Sequence, residues 1–271
     1  MYPFKSDYIF LKNCWYVGAL SNEVSERPLG RMILGEPVVL YRRADGAVVG
    51  TDGLCPHRFF PLSEGKVVGD NIVCRYHGLA FNPEGRCVHI PSQATVPEYR
   101  RLRTYPIIER AGLIWIWTGS IQDASQDKLP DLDEAGLEAP FWRHAATWHR
   151  LNGRYMALLE NLTDLTHIGG LHSESLPGGD AWVTAPMSIA EDNGRMTIVR
   201  RLTSSWNDFL DYQFGAENAL EGEISLHSRT DIWSNAYIRT SGFILDGIDG
   251  QPEVPPGYGS LFFHHFITPE T

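Results

Sequence analysis

Nowhere does this sequence string together the roughly 18 apolar residues needed to cross a bilayer. The opening Met-Tyr-Pro-Phe-Lys-Ser-Asp lacks the apolar stretch of a secretory signal. These absences predict a cytoplasmic protein with no membrane partner. Positive charge is also short, with 23 Lys and Arg against 33 Asp and Glu and a formal net charge of -10. That argues against nucleic acid as a partner, because phosphate binding depends on Lys and Arg. There is no internal repeat and no low-complexity tract. What is present is a 271-residue chain, 43% hydrophobic and 21% charged, able to bury a sizeable core in one or two domains.

The four cysteines are unevenly informative. Cys55-Pro-His57 and Cys74-Arg-Tyr-His77 form two hooks separated by sixteen residues, each carrying one Cys and one His. Two thiolates and two imidazoles in this order are the ligand set of a Rieske [2Fe–2S] centre, where histidines replace cysteines on one iron. Thiolates are soft anions suited to sulfide-bridged ferric iron, while neutral imidazoles reduce the negative charge of the set and raise the reduction potential. A zinc site is the alternative, but zinc hooks usually pair Cys with Cys and His with His. Gly53, Pro56, Gly78 and Gly85 mark tight turns that could bring the hooks together. Cys14 and Cys87 remain and are read as inert core thiols, not a disulfide.

The first 119 residues read as a small β domain. Two hairpin signals, Asp45-Gly46 and Ala111-Gly112, lie between strand-like runs, and helical periodicity is absent. Residues 51–110 carry eight Lys/Arg against six Asp/Glu, a locally basic stretch in an acidic chain. Such a rim, Arg75 and Arg86 included, could steer an acidic electron donor or could serve only solubility. Residues 120–143 are polar and acidic at first and suit a linker. A second domain is expected over 144–271.

Within that domain, Leu158, Leu162 and Leu165 recur at i, i+4, i+7 and predict a helix with one apolar face. Asn161, Asp164 and His167 form a polar stripe on another side. In an unbroken helix His172 would point about 140° from His167. Gly169-Gly170 is therefore expected to break the helix and let the two histidines meet. Two histidines with a carboxylate make the facial triad of non-haem Fe(II) oxygenases.

The combination of Cys-Pro-His-Arg, Cys-x-Tyr-His-Gly and Asn161-x-x-Asp164-x-x-His167-x(4)-His172 resembles the oxygenase component of Rieske non-haem iron oxygenases. Asn13-Cys-Trp-Tyr-Val and His265-Phe-Ile-Thr-Pro-Glu-Thr are most similar to its vanillate O-demethylase and dicamba monooxygenase branch. The resemblance implies an α+β protein, with an all-β Rieske domain followed by a helix-grip, START-like catalytic domain built on an antiparallel sheet around an apolar pocket. It implies that Cys55, His57, Cys74 and His77 hold the cluster and that His167 and His172 hold Fe(II). Asp164 would accept hydrogen bonds from a histidine at the iron and, across a subunit boundary, from a cluster histidine. Asn161 would sit near the iron and His265 would line the substrate pocket. A homotrimer is implied, fed with electrons from NAD(P)H through a reductase or ferredoxin. The reaction implied is monooxygenation of an aromatic substrate by O₂, with oxidative O-demethylation of a methoxylated aromatic acid as the leading case and ring dihydroxylation as an alternative.

Two features depart from the pattern. The family's carboxylate ligand lies on a helix beyond Thr-Pro-Glu-Thr, so the natural chain is expected to continue past Thr271. Asp180, Asp192, Asp208, Asp211, Asp231, Asp246 and Asp249 are read as strand-like or turn-like and none matches that ligand. Phe59-Phe60 replaces the Gly-Ala common in relatives, and both rings are expected in the core. A Rieske electron carrier would need only the first 119 residues, and an inactive ligand-binding module would need no third iron ligand.

Overall fold

The computed structural model describes residues 10–98, 100–138, 140, 142–174, 179–234, 236–251 and 258–270. The chain divides into two compact units, residues 1–149 with 267–271, and residues 150–266.

The first unit is built of short antiparallel strands: β1 (Trp15–Leu20), β2 (Leu29–Ile33), β3 (Glu36–Arg42), β4 (Val48–Asp52), β5 (Lys66–Val68), β6 (Asn71–Val73), β7 (Ala80–Phe81), β8 (Cys87–His89), β9 (Thr104–Tyr105), β10 (Ile107–Arg110) and β11 (Leu113–Trp117). They form three sheets in the orders β1-β11-β10, β2-β3-β4-β9 and β5-β6-β7-β8. Strand β11 is buried at every residue because β1 and β10 flank it on both edges. Both expected hairpins form. At the second, Ala111 and Gly112 lie at φ 56° and 72°, the left-handed pair that matches the twist of a two-residue hairpin.

The acidic stretch from 120 is built into the first unit. The Trp15 indole donates to the Ser125 carbonyl over 2.8 Å, Leu132 and Ala135 are buried, and Arg110 pairs with Glu138. Residues 267–270 also belong to this unit. The carbonyls of Pro269 and Glu270 accept from the β2–β3 turn, at Leu34 N and Gly35 N, and Thr268 Oγ1 donates to the Val17 carbonyl over 2.7 Å.

The second unit contains helices α1 (Tyr155–Thr163), α2 (His167–Leu171), α3 (Asp180–Thr184) and α4 (Asp208–Phe214), and strands β12 (Met187–Asp192), β13 (Arg195–Ser204), β14 (Ile224–Trp233), β15 (Tyr237–Ser241), β16 (Ile244–Ile248) and β17 (Phe262–Phe266). The strands form one antiparallel sheet in the order β12-β13-β14-β15-β17, with β16 also on β14. Ile224 and Leu226 of β14 pack with Phe209 and Leu210 of α4 and with Phe243 and Leu245 in an apolar core. Among the described residues no helix is long and apolar enough to cross a membrane.

Three sequence expectations are corrected. The helix does not break at Gly169-Gly170, which lie inside α2; it breaks earlier, where Asp164 leaves the helical region at φ -98° and ψ 93°. Asp180, Asp208 and Asp211 are helical, each in a first turn, where a carboxylate complements the helix dipole. Phe59 is 72% exposed, although Phe60 does pack against the core.

Candidate metal centres and substrate cavity

The two Cys-plus-His hooks share one backbone design. The Cys55 N–H donates to the Phe60 carbonyl and the Cys55 carbonyl accepts from Phe59 N–H, over 2.9 and 2.8 Å. Cys74 repeats this with Leu79 and Gly78, both at 2.9 Å. Each hook is thus a closed loop with its cysteine buried at the base. Cys55 and Cys74 share an apolar core with Val39, Tyr41, Leu62, Ile72 and Phe81, which anchors both loops to the sheets. Between the hooks, the His57 and His77 rings meet edge to face at 4.6 Å, and Tyr76 lies against His77 at 3.9 Å.

These residues fit a two-iron cluster. His57 Nδ1 is shut away from solvent with no hydrogen-bond partner, an arrangement that costs free energy unless something such as a metal takes the lone pair. Desolvation, then the neighbouring His77, Arg58 and Arg100, holds the His57 imidazole below its ordinary pKa, favouring the neutral form that ligates metals. Burial pushes the Cys55 thiol up to about 11, with Cys74 adding to the shift, so the proton leaves readily only if a cation takes its place. Among the described residues no three His, Cys, Asp or Glu side chains converge to hold a single metal ion. A cluster with two irons asks for two ligands at each, not three or four at one point.

Cys14 and Cys87 are free and buried, as are the hook cysteines. Their Sγ atoms lie 3.7 and 3.6 Å from the carbonyls of Leu11 and His89.

In the second unit, His167 opens α2 and His172 caps its end, and their rings sit 5.4 Å apart, edge to face. They meet without a glycine break because His172 has already left the helix, at φ -108° and ψ 14°. Gly169 serves packing instead: a Cβ there would come within 2.6 Å of Asp180 Oδ1 and 3.1 Å of Asp180 Cα on α3.

His167 Nδ1 is 2.7 Å from the Asp164 carbonyl oxygen. A carbonyl only accepts, so Nδ1 carries the proton and Nε2 keeps the lone pair that a metal would use. Asn161 Nδ2 lies 3.5 Å from that Nε2. The Asp164 carboxylate reaches Thr166, accepting from its N–H at 3.0 Å and its hydroxyl at 2.7 Å. These two bonds hold its pKa below the ordinary carboxylate range. Contact between Asp164 and His167 therefore runs through the main chain. Thr166 was missed from the sequence, although Asp-x-Thr ahead of a helix is a recognisable Asx-turn signal.

A cavity of about 210 Å³ opens beside α2. Leu165 and Ile168 flank His167 in sequence and line it together with Phe209 of α4 and Phe263 of β17. His265 also lines it, and burial lowers its pKa. Tyr212, Gln213, Thr240 and Ser241 are further polar groups there that sequence reasoning missed; a single Thr or Ser in a buried strand carries no signal of which face it occupies.

A β scaffold presenting paired Cys/His hooks, joined in one chain to an antiparallel sheet with two adjacent histidines beside an apolar cavity, is the layout of an iron–sulfur oxygenase component. Residues 14–105 match the Rieske [2Fe-2S] domain and residues 151–271 the vanillate O-demethylase oxygenase C-terminal domain. The oxygenase component of chloroacetanilide N-alkylformylase from Rhizorhabdus wittichii is 38% identical over 270 residues, covering 97% of this chain and 74% of that protein. The iron–sulfur subunit of the toluene-4-sulfonate monooxygenase system of Comamonas testosteroni is 38% identical over 196 residues, covering 71% of this chain but 56% of that protein. The crystal structure of dicamba monooxygenase bound to 3,6-dichlorosalicylic acid superposes with a TM-score of 0.82 at 30% identity, covering 97% of this chain and 75% of the other. The chain belongs to the oxygenase components of the Rieske non-haem iron oxygenases, in the branch of vanillate O-demethylase and dicamba monooxygenase.

Proposed function

We propose that this chain is the terminal oxygenase component of a multicomponent monooxygenase that removes a methyl group from a methoxylated aromatic. In this reading Cys55 and Cys74 hold one iron of the cluster, His57 and His77 hold the other, and His167 and His172 hold a mononuclear Fe(II). When bound, the two centres supply single-electron transfer and dioxygen activation. The observation that carries the proposal is the His167 tautomer: Nδ1 is committed to the Asp164 carbonyl, which leaves the lone pair on Nε2, approached by the Asn161 amide at 3.5 Å, while Leu165 and Ile168 near it in sequence line the cavity.

The protein's own groups do the rest. The buried hook cysteines give up their protons as the cluster is installed. Asp164 orients His167 through its carbonyl, while its Oδ2 stays available to a cluster histidine of a neighbouring copy in a homotrimer. Asn161 holds the Nε2 face. The apolar cavity excludes water from the reacting carbon, and His265 orients the substrate. Exposed Arg75 and Arg86 belong to a basic rim that receives a reductase or ferredoxin carrying electrons from NAD(P)H. The balance is one methyl ether, O₂, two electrons and two protons giving a hemiacetal and water; the hemiacetal then collapses to a phenol and formaldehyde.

The test combines metal content with product. About three iron and two sulfide per chain, with formaldehyde released from a methoxyarene in the presence of a surrogate reductase, are expected. About two iron per chain would make it an electron carrier, and zinc in place of iron would remove the cluster from the proposal.

A further inference from the structure

Every polar group of Asp164 but one is already committed. Its N–H donates to the Glu160 carbonyl at 3.0 Å and closes α1, and its carbonyl accepts from His167 Nδ1 at 2.7 Å. Oδ1 accepts twice from a single residue, from the Thr166 N–H at 3.0 Å and from the Thr166 hydroxyl at 2.7 Å. Oδ2 accepts no hydrogen bond among the described residues, and Asp164 is exposed.

The Thr166 hydroxyl is turned away from its own helix. Thr166 stands at the N-terminal cap of α2, where a threonine oxygen ordinarily accepts from an N–H of the first turn and stabilises the helix. Here it caps nothing, and its proton goes back to Asp164. The N–H bond alone already closes an Asx turn between α1 and α2, so the turn does not need the second bond. What that bond constrains is the carboxylate. The terminal torsion of an aspartate is broad and two-fold, and two donors from one residue on one oxygen hold it in a single orientation, with Oδ2 as the oxygen open to a partner.

We infer that Thr166 is a positioning residue for electron entry: by pinning Oδ1 of Asp164 it presents Oδ2 alone, in a fixed direction, to the cluster histidine of a neighbouring copy. The inference rests on the reading of Asp164 as the link between the two metal centres. The step it serves moves one electron from the reduced cluster to the mononuclear iron site and makes or breaks no bond. A hydrogen bond weakens steeply once its angle falls below ~120°. A carboxylate that turns freely is misaligned with the incoming imidazole N–H for part of the time, and the coupling is lost for that fraction. His167 is held through the Asp164 main chain, so removal of the Thr166 hydroxyl leaves the metal-facing nitrogen in place.

The experiment uses the cluster- and iron-loaded protein. Thr166→Val removes the hydroxyl while keeping the N–H bond and nearly the same shape, and Thr166→Ser keeps the hydroxyl. Each protein is reduced with dithionite and mixed with oxygenated buffer, and re-oxidation of the cluster is followed by its absorbance, against the same protein with zinc in place of the mononuclear iron. The iron-dependent rate is expected to fall on the order of tenfold in Thr166→Val and to stay within about twofold of wild type in Thr166→Ser. Mononuclear iron content should be unchanged in both variants. In the infrared difference between each protein and its Asp164→Asn counterpart, the Asp164 carboxylate band should shift and broaden in Thr166→Val and return to its wild-type position in Thr166→Ser. A wild-type rate in Thr166→Val, an unmoved band, or a loss of iron in step with the rate overturns the inference. Introduced into Asp164→Asn, Thr166→Val should slow nothing further; an additional loss there would mean that Thr166 acts by another route, and the inference fails. The two failures are separable: Thr166→Val at wild-type speed beside a slow Asp164→Asn removes Thr166 and keeps the link, whereas Asp164→Asn at wild-type speed removes the link and the inference with it.

Discussion

Phe59 and Gly78 occupy equivalent places in the two hooks, each donating its N–H to the carbonyl of the hook cysteine and each in the left-handed region, at φ 53° and 73°. Glycine takes that conformation freely; a side chain with a Cβ does so at a cost of roughly 1–2 kcal/mol. Phe59 recovers little of that by burial, since 72% of it is exposed.

Phe59→Gly should therefore raise the melting temperature. Relief of about 1–2 kcal/mol, less roughly 0.5–1 kcal/mol of added chain entropy, leaves a gain on the order of 1 kcal/mol, about 3 °C for a unit of this size. Cluster absorbance should not change. Gly78→Ala should do the opposite, because its Cβ would come within 2.9 Å of Pro91 Cγ. Calorimetric scans of both variants check the pair, and a lower melting temperature for Phe59→Gly would show that the ring contributes to the fold.

The glycines of α2 should separate in the same way. Gly170 has nothing within 4 Å of an added Cβ, so Gly170→Ala should stabilise the helix by up to about 1 kcal/mol. Gly169→Ala gains the same propensity but brings a methyl to 2.6 Å from the Asp180 carboxylate and 3.1 Å from its Cα, and the crowding should win. Unfolding curves should move in opposite directions, and mononuclear iron content should fall only for Gly169→Ala.

Asp164→Asn keeps an oxygen to accept from Thr166 and keeps the carbonyl that orients His167, yet removes the charge. It should fold normally, show an unaltered cluster spectrum and reduce the iron slowly. Asp164→Ala should show the same slow reduction and lose roughly 1 kcal/mol of stability with the two hydrogen bonds from Thr166. Stopped-flow reduction at wild-type speed in Asp164→Asn would remove the carboxylate from the electron path.

Asp231 predicts the acid limit of the second unit. Burial alone would raise its pKa, but the hydrogen bonds from Thr197 and Arg239 and the Arg239 charge outweigh burial and hold it below the ordinary 3.8. A depressed carboxylate stabilises the fold fully above its unfolded pKa, and that contribution fades as pH falls through the folded value. Asp231→Asn removes the buried carboxylate that Arg229 and Arg239 both bond and should cost about 3–5 kcal/mol at neutral pH, while flattening the loss of stability below about pH 4. Urea unfolding between neutral pH and pH 3 measures both effects.

Much of the candidate site could be read from residue order. The Cys/His hooks, the two hairpin turns and the His167/His172 spacing are local patterns whose chemistry depends on residue type and a few neighbours. The helix break was misplaced because Gly169-Gly170 was weighed by propensity alone, whereas α3 packs against Gly169 and uses its missing side chain. Phe59 was assigned to the core because hydrophobicity was the only available guide; the hook geometry turns its ring outward.

The sequence by itself determined the ligand types, the antiparallel β character of the first unit and the family, because thiolate, imidazole and turn residues carry their chemistry wherever the chain places them. Only the folded structure decided which nitrogen of His167 carries the proton and that His265 shares a face with Thr240 while His264 meets Tyr237 on the other. It also decided that Leu165 and Ile168, on either side of His167 in sequence, line a cavity together with Phe209, Phe263 and His265. The His167 bond spans three residues but needs the chain to leave α1 at Asp164, while the shared face depends on the register of strands whose paired residues lie 21 to 29 positions apart; in a strand a slip of one residue exchanges every inward side chain for an outward one.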